Sequence, residues 1–229
     1  MKIYIWLPIF LALLFSTSVF AGERKLVEGA APLSHKTYAF TADLGIDYPE
    51  PILYGVRFDI GLKDRFQLGV GGGVYPLNQG EVLATVGLFS KFNFWRSSDE
   101  KHFVSFLFEP FILPLPDLLY DPDTGQGRTV ILYAIRPMLA YEYRTASEHP
   151  TGFYAKAGTM HFIGASSKGQ FALIGFRTDS SVATFSLGVQ HHYGHHFSLG
   201  AEPKIYVALS HAGTSETLVT GKIFFSWAF

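Results

Sequence analysis

Ten stretches of this chain alternate apolar and polar residues with a period of two. They cover residues 36–47, 53–62, 66–75, 81–95, 102–112, 130–143, 152–162, 182–192, 197–208 and 216–229. In the first, Tyr38, Phe40, Ala42, Leu44 and Ile46 share one parity against Thr41, Asp43, Gly45 and Asp47. In the last, Val219, Ile223, Phe225, Trp227 and Phe229 stand against Thr220, Lys222, Ser226 and Ala228, with Phe224 joining the polar set. A strand sends successive side chains to opposite faces, so each stretch predicts a strand with one greasy and one mostly polar face.

The links alternate in length. Those at 63–65, 96–101, 144–150 and 193–195 are short, whereas 113–128 and 163–181 are longer. An even strand count with both termini at one end predicts an all-β, antiparallel up-and-down barrel of about ten strands. Residues 170–177 are also strand-like, through Phe171, Leu173, Ile174 and Phe176. If they cross with the others the count is eleven and the topology fails; otherwise they extend a hairpin above the barrel. Counts of eight and twelve stay open.

The N-terminus carries Lys2, an apolar run over 3–15, and a small-residue end with Val19 and Ala21, the pattern of a signal peptide cleaved after Ala21. The run is shorter than the roughly 20 residues of a comfortable helical span. Residues 22–35 show no alternation and predict an irregular periplasmic tail, leaving 36–229 for the barrel. Past residue 21 there is no long apolar helical run, although 48% of the chain is hydrophobic and 16% aromatic, with 23 glycines. A membrane chain without apolar helices must close its sheet, because lipid cannot satisfy open backbone edges. The chain has no cysteine, which excludes disulfides, thiolate metal sites and cysteine-linked lipid anchors. A net charge of −1 speaks against nucleic acid as a partner.

An alternating last strand that ends on an aromatic residue resembles the closing strand of small outer-membrane β-barrel proteins of Gram-negative bacteria. The resemblance covers nearly the whole of residues 22–229 and selects no subfamily. It implies a porin-like transmembrane barrel of the cell envelope, monomeric, in contact with outer-membrane lipid and lipopolysaccharide. It also implies that Ile223, Phe225, Trp227 and Phe229 are read by the barrel insertion machinery, and that short turns face the periplasm.

With the greasy parity outside, the lumen receives Asp43, Asp47, Arg57, Asp59, Lys91, Glu109, Arg136, Glu142, Lys156, Glu202, Lys204 and Lys222. Charges in so narrow a space must pair or meet water. Two readings follow: a salt-bridge network that fills the barrel, or a narrow polar conduit kept open by lumen-side glycines such as Gly188 and Gly200.

The chemical motifs are weak. His191, His192, His195 and His196 invite a metal, but neighbours on a strand point to opposite faces and no carboxylate lies in that stretch. His196 and Ser198, with Glu202 on the same parity, resemble the His-x-Ser pair of outer-membrane lipid A deacylases, yet Leu199 replaces the asparagine that follows it there. Ser210 and His211 are adjacent and cannot form a local dyad. Asp117, Asp121 and Asp123 suggest a calcium loop that lacks its closing glutamate, since Leu132 stands there. An omptin-like protease would need aspartate and histidine pairs at the outer rim, and His161 and Asp179 fall near it without a connecting motif. Gly71, Gly72 and Gly73 are followed by neither a lysine-serine pair nor a helix, so they are no phosphate loop. Glu109-Pro110 and Glu202-Pro203 recur in two strands without a functional explanation.

These observations designate no catalytic residue, metal or cofactor. The chain reads first as a non-enzymatic barrel with a structural, adhesive or binding role through its outer loops. A narrow passive channel and an outer-membrane lipid hydrolase are the alternatives. A soluble lipocalin-type barrel would carry the opposite parity, greasy inside and polar outside.

Overall fold

The computed structural model describes residues 27–47, 52–76, 82–120, 127–163, 172–173, 176–177, 181–194, 196–209 and 217–229. The expected signal peptide, residues 1–21, lies outside them. Strands β1 (Tyr38–Asp47), β2 (Ile52–Lys63), β3 (Phe66–Pro76), β4 (Val82–Arg96), β5 (His102–Tyr120), β6 (Gly127–Arg144) and β7 (Thr151–Ile163) form successive antiparallel neighbours. After them come β8 (Ala172–Leu173), β9 (Phe176–Arg177), β10 (Ser181–Tyr193), β11 (Phe197–Leu209) and β12 (Thr217–Ala228). All except β8 and β9 make one closed barrel of ten strands, in which β12 pairs with both β11 and β1. The seam is shut at one end by Tyr38 and Phe229. Each donates its backbone N–H to the other's carbonyl, at 2.9 and 2.8 Å, and their rings stack at 6.0 Å.

The parity read from the sequence is the parity of the wall. Leu88, Leu187, Val219 and Ile223 are exposed on the outside, with Leu187 at 65%. Asp59, Gln67, Lys91, Ser105, Glu142, Gln190 and Ser226 are fully buried on the inside. The greasy face is thus outward, the reverse of a lipocalin-type barrel. Aromatic rings gather on the outer wall at the short-turn end. Tyr38 stacks on Phe58, Tyr193 lies 5.9 Å from Phe197, Phe197 lies 4.4 Å from Phe225, and His196 stacks on Trp227.

One open point closes, and two features depart from the sequence reading. Among the described residues of 170–177, β8 and β9 pair with each other and stand outside the ten-stranded barrel, in keeping with the expected count. The expected long loop at 113–128 is mostly strand, because β5 and β6 run on as a two-stranded ribbon whose ladder reaches Tyr120↔Gly127. β4 stops pairing with β5 at Ile112, so Pro114 lies where one strand edge is free and its missing N–H costs no ladder bond there.

The second departure is the expected periplasmic tail. Its described part, residues 27–35, turns into the barrel, and Val27, Glu28, Ala30, Ala31 and Leu33 are buried there. The chain comes out of the lumen at Lys36, whose φ of 61° makes the reversal into β1, and whose N–H donates to the Gly61 carbonyl at 2.8 Å.

Prolines mark the wall. Pro110, Pro137 and Pro203 each pair on one side, with Ile135, Phe108 and Gly221. On the other side the ladder skips them. It jumps from Gly87↔Phe111 to Ser90↔Phe108, from Ile135↔His161 to Met138↔Gly158, and from Ser186↔Lys204 to Val189↔Ala201. A proline has no N–H to give, so one ladder must break. Each is preceded by an ion-paired lumen charge, Glu109, Arg136 or Glu202. The repeated Glu-Pro pairs therefore mark wall positions where a lumen ion is followed by an interrupted ladder.

Candidate functional site: a filled lumen

The lumen is built in three layers. At the long-loop end Ala134, Met160 and Val182 form a buried apolar cluster, against which Phe111, Tyr206 and Leu218 pack. These residues lie on the inward parity of six neighbouring strands, β5, β6, β7, β10, β11 and β12, so the layer lines that side of the lumen.

Below it lies the ionic layer. Arg136 is bound to Glu109 through two guanidinium nitrogens, and donates to the Tyr206 hydroxyl at 3.3 Å. Glu202 receives Lys156 at 2.9 Å, Lys204 at 3.6 Å, Lys222 at 3.8 Å and the Tyr154 hydroxyl at 3.1 Å. Arg57 pairs with Asp59 at 2.7 Å. The anion that joins these groups comes from outside the strands. Glu28 lies 2.8 Å from Arg57, 3.0 Å from Lys222 and 3.5 Å from Lys156. A buried carboxylate is costly unless several partners compensate it, and here three cations converge on one.

The third layer is the segment 27–33 itself. Its backbone has no strand or helix to satisfy it, so lumen side chains do so. Gln190 accepts from the Glu28 N–H at 3.1 Å, Glu142 from the Ala31 N–H at 2.8 Å, and Gln67 from the Leu33 N–H at 3.0 Å. Lys91 donates to the carbonyls of Val27 and Ala31 at 2.8 and 3.0 Å, and the Ser105 hydroxyl donates to that of Ala30. A Cβ at Gly29 would collide with the Glu142 carboxylate, so a larger residue there would push that side chain off the inserted segment. Ala30 and Ala31 pack with Phe89, Phe103, Leu107, Met138 and Ala140, and Val27 and Leu33 with Ala39 and Ala228.

The residues expected in the lumen divide among these layers. Arg57, Asp59, Lys156, Glu202, Lys204 and Lys222 join the Glu28 network, Glu109 and Arg136 form their own pair, and Lys91 and Glu142 hold the inserted segment. The Asp43 carboxylate lies over Gly55 on the neighbouring strand. Asp47 ends β1, and its side chain lies outside the description. At Gly188 and Gly200 the lumen holds no open space. The Tyr154 ring occupies the place of a Cβ at Gly188, within 2.1 Å, and the Phe224 ring does the same at Gly200, within 2.3 Å.

Glu28, Gln67, Gln190 and Ser105 were not visible as a set from sequence. Glu28 sits in a stretch without periodicity, followed by Gly29, Ala30 and Ala31, and no pattern in the sequence singles it out. On the wall, Ile223, Phe225 and Trp227 line up on the outer face of β12, and Phe229 follows just past its end.

The other motifs come apart. Gln190 donates to the Ser198 hydroxyl at 2.6 Å, while His196 bonds the Ala228 carbonyl at 2.7 Å, so the two are not a dyad. His191 bonds the Thr151 hydroxyl, while His192 is fully buried in the lumen. Among the described residues no group of three or more His, Asp or Glu is placed to hold a metal. His195, Asp121, Asp123, Asp179, Ser210 and His211 lie outside the described residues, as does the side chain of Asp117.

No family model and no curated protein matches the chain. Among solved structures, it is similar to the N-terminal β-barrel domain of Pseudomonas aeruginosa OprF (TM-score 0.37, 10% identity, 86% of this chain and 100% of that one). A bacterial polysaccharide outer membrane secretin matches at TM-score 0.44 and 14% identity, over 82% of this chain and 57% of that one. The Pseudomonas putida toluene transporter TodX matches at TM-score 0.33 and 11% identity, over 93% of this chain and 73% of that one.

Proposed function

We propose that the protein is an integral barrel of a bacterial outer membrane, plugged by its own N-terminal segment, with a non-enzymatic structural, adhesive or binding role carried by its long-loop end. The observation that carries this reading is the pairing of an apolar outer belt with a lumen closed by residues 27–33 and the Glu28 ion network. A wall this greasy is stable only in lipid, and closed barrels are the sheets that lipid tolerates. The apolar layer around Met160 and the inserted segment both stand in the way of solute flow. The ribbon of β5 and β6 extends the contact surface at the loop end beyond the barrel. In this reading outer-membrane lipid and lipopolysaccharide surround a monomer, and Ile223, Phe225, Trp227 and Phe229 serve the insertion machinery. Planar-bilayer recording tests it: purified protein inserts without stepwise conductance. Regular openings in the wild type would favour the narrow-channel reading and defeat this one. The His196–Ser198 pair lends the lipid-hydrolase reading no support, since each side chain bonds another partner.

A further inference from the structure

The outer wall is not uniform. Across β6, β7, β10 and β11 it holds a groove of about 550 Å³, inside the range of small-molecule sites. Its floor is Ala155 and Ala157 on β7. Leu139 and Tyr141 wall one side; Phe185 and Leu187 wall the other. Pro203 lies at its lower end, where the β10–β11 ladder is interrupted. The lining is almost wholly apolar, as suits an occupant without polar groups along its length.

One row up the same face the chemistry changes. Register places Ala157 opposite Phe185 and Thr159 opposite Ala183, which brings His161 to Ser181 at the top of these strands. His161 bonds the Ser181 hydroxyl through Nδ1 and the Thr159 hydroxyl through Nε2, each at 2.9 Å. All three side chains are part-exposed. An imidazole bridging two hydroxyls in a lipid-facing wall offers donors and acceptors to a polar group arriving from the same side. A greasy groove that ends in such a cluster matches an acyl chain that ends in an ester. The cluster lies toward the long-loop end, which in this architecture faces outward.

We propose that this groove and the Thr159–His161–Ser181 cluster form a binding site for one ester-linked acyl chain of lipopolysaccharide in the outer leaflet. The inference rests on the outer-membrane reading above. The chain lies over Ala155 and Ala157 between the flanking side chains, and its ester meets the hydroxyls and the imidazole. Smaller side chains on β7 than on its neighbours make the groove, and apolar substitutions there keep the wall's lipid-facing character.

Native mass spectrometry of detergent-extracted protein tests the site. Wild type is expected to retain one lipopolysaccharide per chain. Ala157→Phe, which fills the floor, and His161→Ala, which removes the bridge, are each expected to lower the retained fraction at least tenfold. Leu88→Phe, on β4 outside the groove, leaves it unchanged. Equal retention by Ala157→Phe and wild type, retention of phospholipid in place of lipopolysaccharide, or an adventitious lipid that follows detergent concentration alone would each overturn the proposal. Heat-dependent gel migration after insertion into liposomes is read for every variant. It reports whether the protein is a membrane barrel at all, so a failure of that reading is seen separately from a failure of the site.

Discussion

Glu28 and Lys222 meet inside the barrel at 3.0 Å although 194 positions separate them along the chain. One belongs to a segment with no regular structure, the other to the closing strand. The same carboxylate serves Arg57 and Lys156, so it gathers cations from three separate strands.

Removing that charge leaves Arg57, Lys156 and Lys222 facing Asp59 and Glu202. Breaking a buried ion pair by losing one partner typically costs about 3–5 kcal/mol. Glu28→Gln is expected to lower the urea unfolding midpoint of the micelle-bound protein by a corresponding amount. It also makes the N-terminal segment cleavable by added protease under native conditions. An unchanged midpoint with a protected segment would show that Glu28 does not anchor it.

Deleting residues 27–33 empties only part of the lumen. The absence of native cysteine makes single engineered thiols clean reporters. In the deleted protein, Ser226→Cys is expected to react rapidly with a bulky charged reagent, while Leu218→Cys, packed against the Ala134, Met160 and Val182 layer, stays slow. Equal rates at the two positions would mean that the apolar layer is no barrier.

Gly188 and Gly200 accept the rings of Tyr154 and Phe224. A larger residue at Gly188 displaces Tyr154 from its hydrogen bond with Glu202. Overpacking of this kind costs about 1–3 kcal/mol. Gly188→Val is expected to destabilise the barrel in that range, and the double variant with Tyr154→Ala to recover part of it. Destabilisation that simply adds in the double variant would place the cause elsewhere.

The outward face should be intolerant of charge in proportion to depth. Leu187, among the most exposed apolar side chains, stands beside Pro203 in the middle of its strands. Arginine near the bilayer midplane costs about 2–4 kcal/mol and close to nothing at the interfaces. Leu187→Arg is expected to destabilise the liposome-inserted protein by that amount, whereas Tyr193→Arg, at the turn end, barely changes it. Equal effects at both positions would argue against a bilayer around this belt.

The seam predicts an assembly defect. Phe229 exchanges two backbone hydrogen bonds with Tyr38 and stacks on its ring. Deleting Phe229 is expected to slow folding into liposomes several-fold, while Phe229→Tyr keeps both the bonds and the stack and folds at the wild-type rate. Normal kinetics after deletion would remove the seam from the assembly step.

Local pattern was enough for the main strands, their greasy and polar faces, and the parity that sends Arg57, Lys91, Glu142 and Glu202 inward. Period-two alternation is local, and a wall with different solvents on its two sides writes that alternation into every strand. The course of residues 27–33, the rings that fill the space at Gly188 and Gly200, and the extension of β5 and β6 as a ribbon became visible in the folded barrel. Those outcomes depend on contacts between distant segments: a buried backbone seeking Lys91, Gln190 and Glu142, a ring reaching across to Gly188, a free edge that lets Pro114 stand in a strand. The groove over Ala155 and Ala157 is of the same kind, because side-chain size on one strand becomes shape only when its neighbours are known.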